Sequence, residues 1–262
     1  MPAAPEARFV LRQRGVLESA DLALRLLVLH ARAFGWLTLA VCVPGFVLTL
    51  VLRYVLYLDA SVVWCVALAL AAWCEGPFTS LAGAIAMDRD ATARSAIQAF
   101  RPYAVSYLWH RSLALAAEAL ASVAFVAPWL FAAPSLLFVP EVVLLERASH
   151  GVFARSARVI ATASARAFQT VMLLLLSRAL GMALFDAVMR RSLGLVLDVH
   201  ARVESLFEEG ISPYALAGLW LAVPVTAMVR YVAYADLRTL REGWDVQRRF
   251  QLLAARLEAS ET

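Results

Sequence analysis

Lysine is missing from this chain of 262 residues: all 24 basic residues are arginine, set against 20 acidic ones. Charge of either sign is scarce. Charged residues make up 17 % of the sequence, where soluble domains carry about 25 %. Cysteine is rarer still. Cys42, Cys65 and Cys74 all fall inside apolar runs, with no CxxC and no Cys/His ligand spacing. Neither a disulfide framework nor a zinc site is therefore expected, and the three thiols read as small packing residues. Catalytic signatures are equally absent: there is no HExxH, no GxSxG, no GxGD and no Gly-rich loop to cradle phosphate. The histidines His30, His110, His150 and His200 stand far apart. No catalytic residue, metal or cofactor is assigned, and an enzyme is not expected. The arginines sit at the edges of apolar runs rather than on a basic face interleaved with aromatics, which argues against nucleic acid as a partner.

What is abundant is apolar sequence. The chain is 62 % hydrophobic with a mean hydropathy of +0.72, and the excess is gathered into long runs separated by arginine-bearing stretches. That is the organisation of an all-α, polytopic integral membrane protein. The runs predict six spans at about 34–52, 61–87, 104–127, 130–145, 168–189 and 213–235. The stretch from Ser112 to Leu145 decides the count: it is too long for one span of about 20 residues. The segment from Ala127-Pro128 to Pro134 predicts a turn that splits it into a hairpin. Charge supports the split, because the arginine-rich segments on either side both belong on the cytoplasmic face. With both termini cytoplasmic, seventeen arginines lie inside, four outside and three (Arg111, Arg178 and Arg230) within spans. The N-terminal arm has no signal-peptide pattern, so the first span is expected to double as the insertion signal.

Residues 1–33 read as an arm and an amphipathic helix lying at the membrane interface. Glu18, Asp21, Arg25 and Arg32 fall on one stripe of that helix, and Asp21/Arg25 form a favourable i,i+4 pair. Similar arginine-bearing segments, Ala93–Ile97 and Ala154–Arg158, precede the third and fifth spans. The chain thus reads as three helix-plus-hairpin units. Residues 34–235 form the transmembrane bundle and 236–262 a cytoplasmic helical tail.

Ionisable groups inside spans are costly and are functional candidates by default. Glu75, Glu118, Arg178 and Asp186 form the candidate intramembrane network. Arg178 and Asp186 lie about two turns apart on one face, and Glu118 is at a depth to meet Arg178. Arg111 and Arg230 are expected to snorkel to the interface, and Glu141 to reach it. The acidic, apolar-striped segment from Ser192 to Gly210 is expected to cap the outer face of the bundle. The tail carries the densest local pattern. Arg238/Glu242 and Arg241/Asp245 are opposite-charge i,i+4 pairs, and Gly243 is placed to end their helix. Arg238, Arg241, Glu242, Gly243 and Asp245 are therefore the candidate docking residues for a partner.

The tail Tyr234-x-Asp236-Leu-Arg238-x-x-x-Glu242-Gly243-x-Asp245 resembles the end of a group of six-span bacterial membrane proteins. That group is labelled after the membrane domain of glycerophosphoryl diester phosphodiesterase. Leu17-Glu18 through Arg25 is similar to its opening amphipathic helix, and Val143-Leu-Leu-Glu146 with Ala154-Arg155-Ser156-Ala157-Arg158 to its central segment. The resemblance implies a six-span inner-membrane fold without the catalytic domain, in company with other membrane or ATPase components. The reading is a non-enzymatic subunit of the bacterial cytoplasmic membrane, contacting the lipid bilayer and further membrane or cytosolic proteins. The alternative is a small transporter or lipid-handling protein that uses the intramembrane charges.

Overall fold

The computed structural model describes residues 15–87, 91–124, 126–161, 163–196, 206 and 210–242. Those residues are 88 % helix with no strands. In chain order the helices are α1 (Val16–Leu29), α2 (Ala31–Tyr54), α3 (Ala60–Ala86), α4 (Ala93–Phe100), α5 (Ala104–Ala124), α6 (Val126–Leu136), α7 (Val139–Leu144), α8 (Val152–Ile160), α9 (Ser164–Val196) and α10 (Pro213–Glu242). A short helix is followed by a longer pair at α1–α3 and again at α8–α10; after α4, the second partner is divided between α6 and α7.

Among the described residues, four helices are long and apolar enough to cross a membrane: Ala31–Tyr54, Ala60–Ala86, Ser164–Ser192 and Pro213–Thr239. They mark the chain as membrane-embedded. Helix α5 has the length, about 31 Å at 1.5 Å per residue, but Arg111 and Glu118 dilute its hydropathy. The apolar stretch Pro128–Leu144 is shorter and is divided between α6 and α7. At the predicted turn Ala127–Pro134 helix α6 runs through both prolines, and Phe125, between α5 and α6, lies outside the described residues.

Helix α10 is the central post. Of its most apolar stretch 78 % is buried, against 17 % in α2 and α9. Helix α9 turns a stripe at four-residue spacing outward, Leu176, Leu180, Leu184 and Val188, and rests its other face on α10. The two backbones come close at Gly181 and Gly218. A Cβ on Gly218 would sit 2.6 Å from the carbonyl oxygen of Gly181 and 2.9 Å from Met182 Cα. Small residues permit this kind of approach between helices in lipid.

The three short helices gather where α3 and α10 finish. Ser19 of α1 donates to Asp236 of α10 (2.8 Å), and α1 buries Ser19, Ala23 and Leu26. Its opposite face carries the ion pair Arg25–Asp21 at 2.9 Å. Helix α4 begins at a reciprocal cap: Thr92 Oγ1 accepts from the Ser95 N–H (3.1 Å) while Ser95 Oγ accepts from the Thr92 N–H (3.0 Å). Helix α8 is anchored through Ser156, whose hydroxyl donates to the Ser135 carbonyl (2.8 Å).

Glu146, between α7 and α8, ties this end together. Its carboxylate accepts two bonds from Arg155, at 2.8 and 3.2 Å, and a third from the Tyr234 hydroxyl, with Arg238 at 3.9 Å. Glu146→Ala would leave Arg155 and Tyr234 without this acceptor. Charge-assisted bonds contribute about 1.5–3 kcal/mol each; with Glu146 partly solvated, we expect a loss of about 2 kcal/mol. Thermal unfolding in detergent checks it, and an unchanged midpoint would contradict the clip.

Candidate intramembrane charge cluster

Glu75 lies in the middle of α3, wholly buried. Gly76 lets the neighbouring elements close over it: a Cβ there would meet the Phe100 ring at 2.5 Å and the Tyr107 ring at 2.9 Å. The Tyr107 hydroxyl donates to the Ala72 carbonyl (2.7 Å), in the stretch that Pro77 loosens by withholding an N–H. The Glu75 carboxylate accepts hydrogen bonds from Arg178 of α9 and Arg230 of α10. It also accepts one from the Thr226 hydroxyl at 3.1 Å, and Arg111 of α5 approaches to 4.0 Å.

Arg230 extends the cluster. Its Nε donates to Glu141 of α7 at 2.7 Å, and Thr79 lies 3.4 Å from its other terminal nitrogen. Arg111 reaches Glu118 one helix-face along α5, at 3.7 Å. Three arginines and three glutamates from α3, α5, α7, α9 and α10 thus neutralise one another inside the bundle. Such pairing is what makes ionised groups tolerable away from water.

The structure brings Glu75 and Arg178 together and joins Glu118 to them through Arg111. Asp186 stands apart: it accepts from Arg190 Nε at 3.0 Å and from the Ser212 hydroxyl at the head of α10. Eight residues separate it from Arg178, two turns along the helix and out of reach. Arg190 is thereby paired and also lies over the Tyr214 ring.

Three expectations are corrected. Arg111 and Arg230 do not snorkel; they are 7 % and 3 % exposed and point into the bundle. Glu141 does not reach the interface but is buried against Arg230. The reason is common to all three, because an opposite charge inside is nearer than water outside. A sequence signal did exist: the apolar stretches hold Glu75, Glu118, Glu141 and Asp186 and also Arg111, Arg178 and Arg230, charges of both signs that can pair with one another.

The cluster borders a cavity of about 80 Å³, lined by Arg111, Arg178, Arg230 and Glu118. The rest of its lining is apolar, with Trp129, Ala133, Leu137, Val171, Leu174 and Leu175. Arg111 Nε and Glu141 Oε2 are buried with no hydrogen-bond partner among the described residues. Among those residues no group of three or more His, Cys, Asp and Glu is placed to hold a metal ion.

Of the candidate docking residues, Arg238 turns back toward Tyr234 and Glu146. Arg241 and Glu242 close α10, whereas Gly243 and Asp245 lie outside the described residues, as does most of the Ser192–Gly210 segment. Helix α10 passes residue 235 without a break, so span and tail share one rod as far as Glu242.

The class these features define is an all-helical membrane-embedded protein with a buried, self-neutralising charge cluster. Comparison with family models, curated proteins and solved structures finds no match to the chain.

Proposed function

We propose that this is a non-enzymatic, six-span protein of the bacterial cytoplasmic membrane that binds a small charged ligand among its intramembrane arginines. The carrying observation is the cavity beside Arg111, Arg178 and Arg230. A cluster serving only to fix helix packing has no need of an opening beside its arginines. Helix α5 and the α6–α7 pair supply the fifth and sixth spans in this reading. The gathering of α1, α4 and α8 at one end of the bundle, with the inner arginine excess, supports three helix-plus-hairpin units whose short helices lie on the cytoplasmic face. Arg238 is engaged within the chain, which favours ligand binding over the tail-mediated assembly role.

The test is to extract wild-type protein and Arg111→Gln in mild detergent and identify the small molecules released by organic solvent. Wild type should carry one compound in molar proportion to protein, and the variant should lose most of it while remaining monodisperse. If wild type releases nothing reproducible and instead arrives with a stoichiometric protein partner, the ligand reading fails and an assembly subunit replaces it.

A further inference from the structure

The cavity lining combines charged and apolar side chains, and that combination narrows the ligand. Three guanidiniums and one carboxylate line the space, and Glu75 and Glu141 are not among the lining residues. Guanidinium groups favour carboxylate and phosphate oxygens, which accept two parallel bonds from the planar fork. Arg111 is the least committed of the three. Its terminal nitrogens meet Glu118 at 3.7 Å and Glu75 at 4.0 Å, both beyond hydrogen-bond length, although the residue is only 7 % exposed. An acidic group placed there would take up donors that the protein leaves unused.

The apolar part of the lining argues against a freely soluble anion. Leu175 is 43 % exposed, and Trp129 is half-buried beside it. The adjoining α9 surface continues outward through Leu176 and Leu180, both exposed. Arg178 lies midway along the apolar stretch Ser164–Ser192, so this surface faces lipid chains, not water. At about 80 Å³ the space holds a few water-sized groups. It suits one acidic headgroup and is too small for attached chains, which must lie outside along Trp129 and Leu175.

We infer that the cavity is a lateral site for an anionic amphiphile, its phosphate or carboxylate between Arg111 and Arg178 and its apolar chain along α9. The inference rests on the ligand-binding reading above and specifies its chemistry.

Native mass spectrometry of the detergent-solubilised full chain tests it. The probes are phosphatidic acid and phosphatidylcholine with matched acyl chains, and in a parallel arm inorganic phosphate, scored by thermal midpoint. Phosphatidic acid should bind about tenfold more tightly than phosphatidylcholine, and phosphate alone should leave the midpoint unchanged. Both Arg111→Gln and Leu175→Trp should abolish the preference. Leu175→Trp fills the mouth from an exposed position, so it tests the site without disturbing the core. A preference surviving in the Leu175→Trp variant would assign it to exposed arginines at the helix ends and overturn the site. If phosphate stabilised the protein as well as the lipid did, the amphiphile would be overturned while ligand binding stood. Folded wild type that bound neither probe and released no compound would overturn both readings.

Discussion

Arg230→Met is expected to be the most damaging single substitution in the chain, at about 3–5 kcal/mol. The change is close to volume-neutral, so packing contributes little to the loss. Its effect comes from leaving Glu141 without its arginine and Glu75 with one of its three cations removed, both carboxylates being fully buried. Breaking one partner of a buried pair is costly because the other charge stays behind. The second substitution of the cycle carries the argument. Glu141→Gln in the Arg230→Met background removes the stranded carboxylate and restores equal numbers of each sign, so it should recover a large part of the loss. The readouts are the yield of monodisperse protein and its thermal midpoint. If the two changes merely add, the residues act independently and the cluster does not function as an electrostatic unit.

Gly218→Ala is the second large effect, and its asymmetry is what makes it informative. A methyl on Gly218 would meet the Gly181 carbonyl at 2.6 Å and Met182 Cα at 2.9 Å. These are backbone atoms within a regular helix, which cannot swing aside as a side chain would. Helices α9 and α10 must separate, and overpacking of this kind costs about 1–3 kcal/mol. The partner glycine sits at the same crossing, yet a methyl on Gly181 finds the Gly218 carbonyl at 3.6 Å and the Ala222 methyl at 3.7 Å, ordinary contact distances. Gly181→Ala should therefore be near neutral, and a gain in helix propensity works in its favour. Thermal midpoints of the two variants, measured side by side, decide the matter. Equal losses would mean that the crossing geometry differs from the one described here.

Separation of the arginines from Glu75 extends the consequences of the Gly218 change. Arg178 lies on α9 and Arg230 on α10, and both must reach the same carboxylate on α3. Helices pushed apart at Gly218 cannot keep both contacts. The glycine crossing and the charge cluster are in this sense parts of one fit.

The features legible in the residues were those written in local periodicity. Apolar runs announced α2, α3, α9 and α10, and the Asp21/Arg25 spacing announced the pair on the exposed face of α1. Glu75 and Arg178 stood out because a charge inside an apolar run needs a reason. Which charges meet was another matter, since contacts such as Glu75–Arg230 and Glu141–Arg230 depend on how five helices rotate and stack. Arg111 and Arg230 were misjudged because a long arginine side chain near the end of a run can go either way, and only the position of a carboxylate decides. The stretch from Pro128 to Pro134 was read as a turn and is helical, because a helix packed among others can re-satisfy the backbone groups that proline frees. The residues behind the family resemblance, Glu146, Arg155, Tyr234, Asp236 and Arg238, lie far apart in the chain. In the fold they serve as clips between the short helices and α10, a role invisible until the elements are assembled.

The order of the helices along the chain has a consequence for how the protein is made. Glu75 and its partner Arg230 are 155 residues apart, and the ribosome adds about 5–20 residues each second. For roughly ten to thirty seconds at that rate, α3 exists with its central carboxylate and without the post that neutralises it. Arg111, close to Glu75 in the finished fold, is made long before either of the other arginines. It offers the nascent chain a provisional counter-ion while the last pair of helices is still being translated. The cluster is thus completed late, when the helix that carries Arg230 emerges to meet Glu75 and Glu141.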